Sequence, residues 1–299
     1  MKKRRKARVL GIVCYCFALL GLVSGESVAQ AVDRFKDSKT IDDFLQYRSD
    51  RKRPFILAHR GGPGASDTEN SIPTFNQTAS VLPNAILEMD VRITRDSNYV
   101  LLHDPTLDRE SNATGPVAEW SLPDLKKIFL NDLSGKRTQQ RMPTFDEVLD
   151  WNKNRYVLAL DVKPGTDPIK VMDKVLKHRA EYSVFVICYS VAEAQRMRDR
   201  FPLLWLAVGV NSMADLDRFE KEKLPATGRL IALTPQKLQP ATFYERLHKL
   251  GMLCSVGTYG ANQLDEKPLE EAAAGYRELF RQGGDIITTD RPKEVAPLF

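Results

Sequence analysis

Downstream of residue 54, short apolar runs of strand character alternate with segments whose apolar positions recur every three to four residues. The runs fall at 55–59, 85–91, 156–162, 184–189, 203–210, 229–234, 252–257 and 285–289. Amphipathic helical patterns lie between them at 169–178, 192–200, 214–221, 242–250 and 270–281. Eight strands alternating with helices predict an α/β fold, the (β/α)8 or TIM barrel, with an open doubly wound sheet as the alternative. A further apolar run at 99–103 follows its predecessor after only Arg95-Asp96-Ser97-Asn98, too short for a parallel crossover. It therefore predicts a small β-hairpin after the second strand, outside the barrel. Pairing Thr94 with Tyr99 sets Asp90 opposite His103. Residues 105–141 read as a polar insertion, either a lid that selects the substrate or a plain surface loop.

Upstream of residue 55 the pattern changes. A basic start (Lys2, Lys3, Arg4, Arg5, Lys6, Arg8), an apolar run at 9–23 and a polar stretch ending Ala29-Gln30-Ala31 follow the plan of a secretory signal. Residues 1–31 are expected to be removed, giving a periplasmic or extracellular protein. An uncleaved membrane anchor is the alternative, but the apolar run of 15 residues is short of the ~20 a helix needs to span a bilayer; after cleavage no stable membrane insertion is expected. Residues 32–54 form a charged N-terminal helical appendage, with Thr40 as an N-cap, ahead of the main domain at 55–299.

The chain carries 44 basic and 39 acidic residues, a formal net charge of +5. Residues 1–31 hold six of the basic residues and only Glu26 among the acidic ones, so they account for the whole excess. The remainder is formally neutral, which argues against nucleic acid as a partner, and no aromatic-rich basic stretch stands out to seat a membrane surface. Past the signal only Cys188 and Cys254 remain; both fall in apolar runs and are expected as buried free thiols.

Candidate chemistry collects at the strand ends. His59 and His103 each end an apolar run and precede a charged residue, Arg60 and Asp104, whereas His178 and His248 sit in helical patterns among Lys and Arg and read as solvated surface. The carboxyl ends of barrel strands carry the active site in this architecture, which makes His59 and His103 catalytic candidates. Glu88 and Asp90 share one face of their strand, and Asp161 and Lys163 repeat that spacing. Unpaired carboxylates inside a barrel are costly, so a hard divalent cation with oxygen ligands is the simplest compensation. A metal-free salt-bridge network of Glu88, Asp90, Arg60 and Lys163 is the alternative.

Read in order, His59-Arg60-Gly61-Gly62, Glu69-Asn70-Ser71, Glu88-Met89-Asp90-Val91, His103-Asp104-Pro105-Thr106-Leu107-Asp108-Arg109, Pro143-Thr144-Phe145 and Asp285-Ile286-Ile287-Thr288-Thr289-Asp290-Arg291-Pro292 resemble the glycerophosphodiester phosphodiesterase family. The resemblance runs from Phe55 to the C-terminus. It implies a TIM barrel that hydrolyses deacylated phospholipids to glycerol 3-phosphate and an alcohol with one divalent cation. By position it implies Glu88, Asp90 and Asp161 as metal ligands and His59 and His103 as the acid/base pair. Arg60 and Lys163 would grip the phosphate, and Glu69 would line the glycerol side. The nucleophile implied is the neighbouring glycerol hydroxyl, through a cyclic phosphate.

Two departures from that family bear on the site. Asp161 stands where Glu is usual, and Gly257-Thr258-Tyr259-Gly260 replaces a Trp-containing stretch at the seventh strand, which bears on headgroup preference. Ca2+ is favoured over Mg2+ because an exported enzyme meets more of it. Two other functions fit the same residues less well: a phospholipase D-like enzyme acting on intact choline phospholipids or sphingomyelin, and a catalytically silent phosphate-binding barrel. The second has no use for a His pair, since binding an anion needs no general acid.

Overall fold

The computed structural model describes residues 33–222 and 228–299; the expected signal at 1–31 lies outside the described residues. In chain order the elements are α1 (Ser38–Leu45), β1 (Phe55–Ala58), α2 (Ile72–Val81), β2 (Ile86–Ile93), β3 (Tyr99–Leu101), α3 (Leu122–Leu125), α4 (Phe145–Asn152), β4 (Leu158–Val162) and α5 (Pro168–Lys177). They continue as β5 (Val184–Cys188), α6 (Val191–Arg200), β6 (Trp205–Gly209), α7 (Met213–Glu222), β7 (Leu230–Thr234), α8 (Ala241–Lys249), β8 (Leu253–Gly257), α9 (Leu269–Gln282), β9 (Ile286–Thr289) and α10 (Pro292–Val295). The strands β1, β2, β4, β5, β6, β7, β8 and β9 pair in parallel in that order, and β9 pairs back onto β1. The ring is a closed (β/α)8 barrel, and the doubly wound alternative is excluded. Helix starts are set by side-chain caps: Asp37, three residues before the expected Thr40, is the N-cap of α1, and Thr40 completes its capping box from the third helical position, as Glu147 does for Thr144 on α4.

Alternation along the strands sorts side chains into two cores. Ile56, Leu87, Met89, Leu158 and Leu160 point outward against the helices, whereas Leu57, Ile86, Ala159, Phe185, Trp205 and Ile231 fill the inside. That inner core also contains Phe35, Ile41 and Leu45, so residues from α1 and just before it stop the N-terminal end of the barrel. Each such apolar side chain buried in full contributes about 1.5–3 kcal/mol. Polar pins fix the plug: Trp205 Nε1–H donates to Asp42 Oδ1 at 2.8 Å, and Arg229 donates to both Asp42 oxygens at 2.7 and 2.5 Å.

The hairpin forms, but its register differs by one from that expected. Ser97 takes φ 61°, its N–H donates to Thr94 O, and the Thr94 N–H donates to Asn98 O. This is a type I turn closed by a left-handed residue, a three-residue loop in place of four. Ile93 therefore pairs with Tyr99, and Asp90 meets Leu102, whose N–H donates to its carbonyl at 3.1 Å. His103 lies past the strand end and is not Asp90's cross-strand partner.

The insertion is neither a plain loop nor a bare flap. Leu107, Val117, Leu125, Ile128 and Leu130 of the insertion form a third buried core with Val100 of β3 and the flanking Leu102 and Met142. His178 and His248 also depart from the solvated reading. His178 bridges Asp146 and Asp150, and His248 stacks on Tyr47 at 4.0 Å with Nε2 2.8 Å from buried Asp285. Cys188 and Cys254 are buried and unbridged. Among the described residues no helix is long and apolar enough to cross a membrane.

Candidate active site

The inward series that is apolar at the barrel floor turns acidic at its carboxyl end. After Ile86, β2 presents Glu88 and Asp90; after Ala159, β4 presents Asp161 and then Lys163 just beyond its end. Asp90 and Asp161 are register partners, and one carboxylate oxygen from each of Glu88, Asp90 and Asp161 lies within 4.8 Å of the other two. Lys163 Nζ is 2.6 Å from Asp90 Oδ1 and 2.6 Å from Asp161 Oδ2. Lys163 thus bridges the two aspartates, one oxygen of each. Asn70 binds the other side of Asp90 twice: its Nδ2 donates to Oδ2 at 2.6 Å, and its Oδ1 accepts the Asp90 N–H at 2.9 Å. Tyr189 Oη donates to Asp161 Oδ1 at 2.5 Å.

The three acids are not equally compensated. Burial works to raise the Asp90 pKa, but Lys163, His103 and Asn70 more than offset it, and Asp90 is held below the usual range. Glu88 is pushed well above that range by burial and then by the charges of Asp90 and Asp161. Glu88 accepts the Arg60 N–H at 2.6 Å, but no cationic side chain of a described residue comes within ion-pair distance. A metal-free network thus leaves Glu88 unmatched. A hard divalent cation with oxygen ligands fits this donor set, because it would return the unmatched Glu88 to the carboxylate form beside Asp90 and Asp161.

The turn after β1 sets the neighbouring cations. Arg60, Gly61 and Gly62 adopt φ of 50°, 89° and 70° in succession. A Cβ at Gly61 would lie 2.6 Å from the Phe75 ring, and one at Gly62 would run into Pro292, so only glycine lets the chain turn this tightly against α2 and α10. The turn aims the Arg60 N–H at Glu88 and its guanidinium at Glu69 (3.1 Å) and Asp90 (3.9 Å). Glu69 does not face open space. It is 6% exposed, its two oxygens accept from Arg109 at 2.8 Å each, and one of them also accepts from Arg60.

Both histidines are oriented by carboxylates. His59 Nδ1 is 2.7 Å from Asp290 Oδ1, and its ring stacks on Tyr259 at 3.9 Å and 17°. Asp290 is held in turn by its N–H donating to Asp265 Oδ2 at 2.7 Å. His103 Nδ1 is 2.7 Å from Asp104 Oδ1, and Arg109 donates to both Asp104 oxygens, at 2.8 and 3.0 Å. Glu110 clamps the backbone here, accepting the N–H groups of His103 and Asp104 at 3.1 and 2.7 Å, while Arg92 donates to the His103 carbonyl. Burial lowers the His103 pKa, opposed by the charge of Asp90 and the Asp104 hydrogen bond. A carboxylate at Nδ1 leaves each Nε2 as the ring atom free for proton transfer. His59, Glu88, Asp161, Tyr189, Gln236 and Tyr259 line one cavity of about 350 Å3 at the carboxyl end of the barrel.

The sequence-predicted residues His59, Arg60, Glu88, Asp90, His103, Asp161 and Lys163 are thus gathered at one end of the barrel, with Glu69 behind the arginines. The residues that orient them were not singled out. Asp104 and Asp290 lie within the quoted motifs, each beside a residue already noted. Arg109 also lies within a quoted motif and Tyr259 within the stretch that departs from the family, while Glu110 reaches back only to the nearby His103 and Asp104; Tyr189, which donates to Asp161 from 28 residues away, has no local spacing to mark it.

A model of the glycerophosphoryl diester phosphodiesterase family matches residues 59–294. The chain is similar to a glycerophosphoryl diester phosphodiesterase from Parabacteroides distasonis, with 33% identity and a TM-score of 0.80 over 88% of this chain and 91% of that one. It shares its fold with a phosphodiesterase of Oleispira antarctica solved in complex with the product sn-glycerol-3-phosphate (19% identity, TM-score 0.65, 86% and 98% covered). It is 28% identical to a glycerophosphodiester phosphodiesterase of Caldanaerobacter subterraneus over 44% of this chain and 54% of that protein, so the match spans about half of that relative's length. A family model that covers the histidines, the carboxylates and the closing Asp290 together places this chain in the glycerophosphoryl diester phosphodiesterase family.

Proposed function

We propose that this protein hydrolyses glycerophosphodiesters to glycerol 3-phosphate and an alcohol. The observation that carries the reading is two imidazoles, each held at Nδ1 by a carboxylate, at the same barrel end as three clustered carboxylates and a lysine. Glu88, Asp90 and Asp161 would hold a divalent cation, Ca2+ or Mg2+, which supplies charge neutralisation at the phosphodiester. Arg60 and Lys163 would bind the phosphate oxygens. Glu69 acts through Arg60 and Arg109 rather than by touching glycerol.

His103, kept neutral by burial, takes the proton from the glycerol hydroxyl next to the phosphoester as that oxygen attacks phosphorus. His59 gives a proton to the departing alkoxide. The cyclic phosphate then opens as His59 takes a proton from water and His103 returns one to the glycerol oxygen. A nucleophile held on the substrate has a proximity advantage over free water. We further propose export, with cleavage after Ala31, which N-terminal sequencing of the secreted protein checks by finding Val32 first.

The test is release of glycerol 3-phosphate from glycerophosphocholine, glycerophosphoethanolamine, glycerophosphoglycerol and glycerophosphoinositol with each metal in turn. Turnover that stops with chelator supports the reading. Full turnover in chelator removes the metal role, and no turnover of any of the four diesters overturns the function.

A further inference from the structure

We propose that the N-terminal face of the barrel carries a binding site for an anionic phospholipid. A groove of about 460 Å3 opens beside the starts of β1 and β2, at the opposite end of the barrel from the carboxylates. Arg34, Arg48, Arg51 and Arg53 line it, together with Phe44 and Phe55. Its acidic residue, Asp43, is paired with Lys39. Among the described residues no carboxylate forms an ion pair with any of the four guanidinium groups.

Their present partners are neutral. Arg34 donates to the Pro83 carbonyl and to Asn84 Oδ1. Arg51 donates to the Gln46 carbonyl and lies 4.0 Å over the Phe55 ring, with its Nε buried and unpartnered. The side chains of Arg48 and Arg53 are exposed and make no hydrogen bond or ion pair with a described residue. At the other end of the barrel, Arg60 and Arg109 converge on Glu69; here four arginines line one groove and none of them is ion-paired to a carboxylate of a described residue. Arg48 and Arg51 are close enough to repel, with Asp285 and Asp50 offsetting part of that charge at Arg51, and the guanidinium fork suits phosphate oxygens.

The groove is also apolar. Phe44 and Phe55 form one wall, and Val81, 61% exposed, stands at another. An inorganic anion would leave those surfaces wet, whereas an amphiphile with a phosphate head and an acyl start covers both. The volume is in the ~300–1,000 Å3 range of small-molecule sites, enough for one headgroup and the first methylenes. Three of the arginines come from the hexapeptide 48–53, which has no aromatic residue of its own. Folding brings Phe44 and Phe55 beside them, which corrects the expectation of no basic, aromatic-lined surface.

The test is calorimetric titration of the full chain with dioctanoyl phosphatidylglycerol at monomeric concentrations, with dioctanoyl phosphatidylcholine and inorganic phosphate as comparisons. The site predicts at least tenfold tighter binding of the phosphatidylglycerol than of the phosphatidylcholine. That excess is lost in the double variant Arg48→Glu/Arg53→Glu and reduced in Val81→Asp, with phosphodiesterase turnover unchanged in both. Binding at the carboxylate end is common to all the proteins, so the difference between them reads the groove. An equal affinity for the two lipids, or a preference that the double variant retains, overturns the site. Inorganic phosphate binding as tightly as phosphatidylglycerol overturns its assignment to a lipid.

Discussion

The two ends of the barrel interior are built from the same strands and treat charge in opposite ways. At the floor, Leu57, Ile86 and Ala159 meet Ile41 and Leu45 of α1, and the nearby acid, Asp42, has its own partners in Arg229 and Trp205. Two residues further along β2 and β4, the inward positions become Glu88 and Asp161, where Asp90 and Asp161 share Lys163 and Glu88 has no cationic side chain of its own. The floor is satisfied within the protein. The mouth is left in electrostatic debt to a cation and a phosphate, as expected where binding energy must be available for function.

Substitutions at the two ends should therefore separate activity from stability. The largest effect is expected for His59→Ala, which should lower kcat/KM by about 10^3–10^4-fold with the melting temperature little changed. Retained activity in this variant would remove His59 from the chemistry. At the floor, Leu45→Ala, at a side chain with no exposure, should cost about 2–5 kcal/mol in denaturant unfolding while kcat is unchanged well below the transition. If instead it lowered kcat with stability intact, the plug would be part of the catalytic machinery.

pH sharpens the contrast. Without metal, Glu88 sits well above the usual carboxylate range, and Glu110 is pushed up to about 8 by burial and by the Glu69 charge. Both keep a proton in the folded state that the unfolded chain has released, so stability should fall as pH rises from 5 to 8. A divalent cation displaces the Glu88 proton, so its stabilising effect should grow over the same interval. Melting curves at pH 5 and 8, with chelator and with Ca2+, measure this; a metal shift of equal size at both pH values would show that Glu88 is not a ligand. The smallest effect is expected for Tyr189→Phe, which removes the hydroxyl that donates to Asp161. Metal affinity should drop about tenfold, with kcat at saturating metal nearly intact. An unchanged metal dissociation constant would make Tyr189 a wall residue only.

Most of the fold was legible because strand and helix periods are local properties. Eight apolar runs and the helical patterns between them predict eight parallel strands with a barrel as the first reading, and the pairing of β9 on β1 closes it; two-residue spacing places Glu88 with Asp90 on one face without further information. The hairpin shows where that reasoning ends. A single left-handed residue, Ser97, shortened the loop and moved Asp90 from His103 to Leu102, and four loop residues do not announce their φ angles. His178 and His248 were misjudged for a related reason: a polar helix face shows its own residues but not the Asp146 or Asp285 that another segment brings to it.

By itself the sequence determined the parts of this protein: eight strands alternating with helices, the carboxylates two residues apart on one strand face, and two histidines beside the apolar runs. Only the tertiary structure decided how those parts are held. Asp290 orients His59 across 231 residues, Arg109 ties Glu69 across 40, and the floor is closed by a helix that precedes the barrel in the chain. Such contacts depend on chain closure over long separations, and the side chains that make them carry no periodic signal, so only the closed ring brings them together.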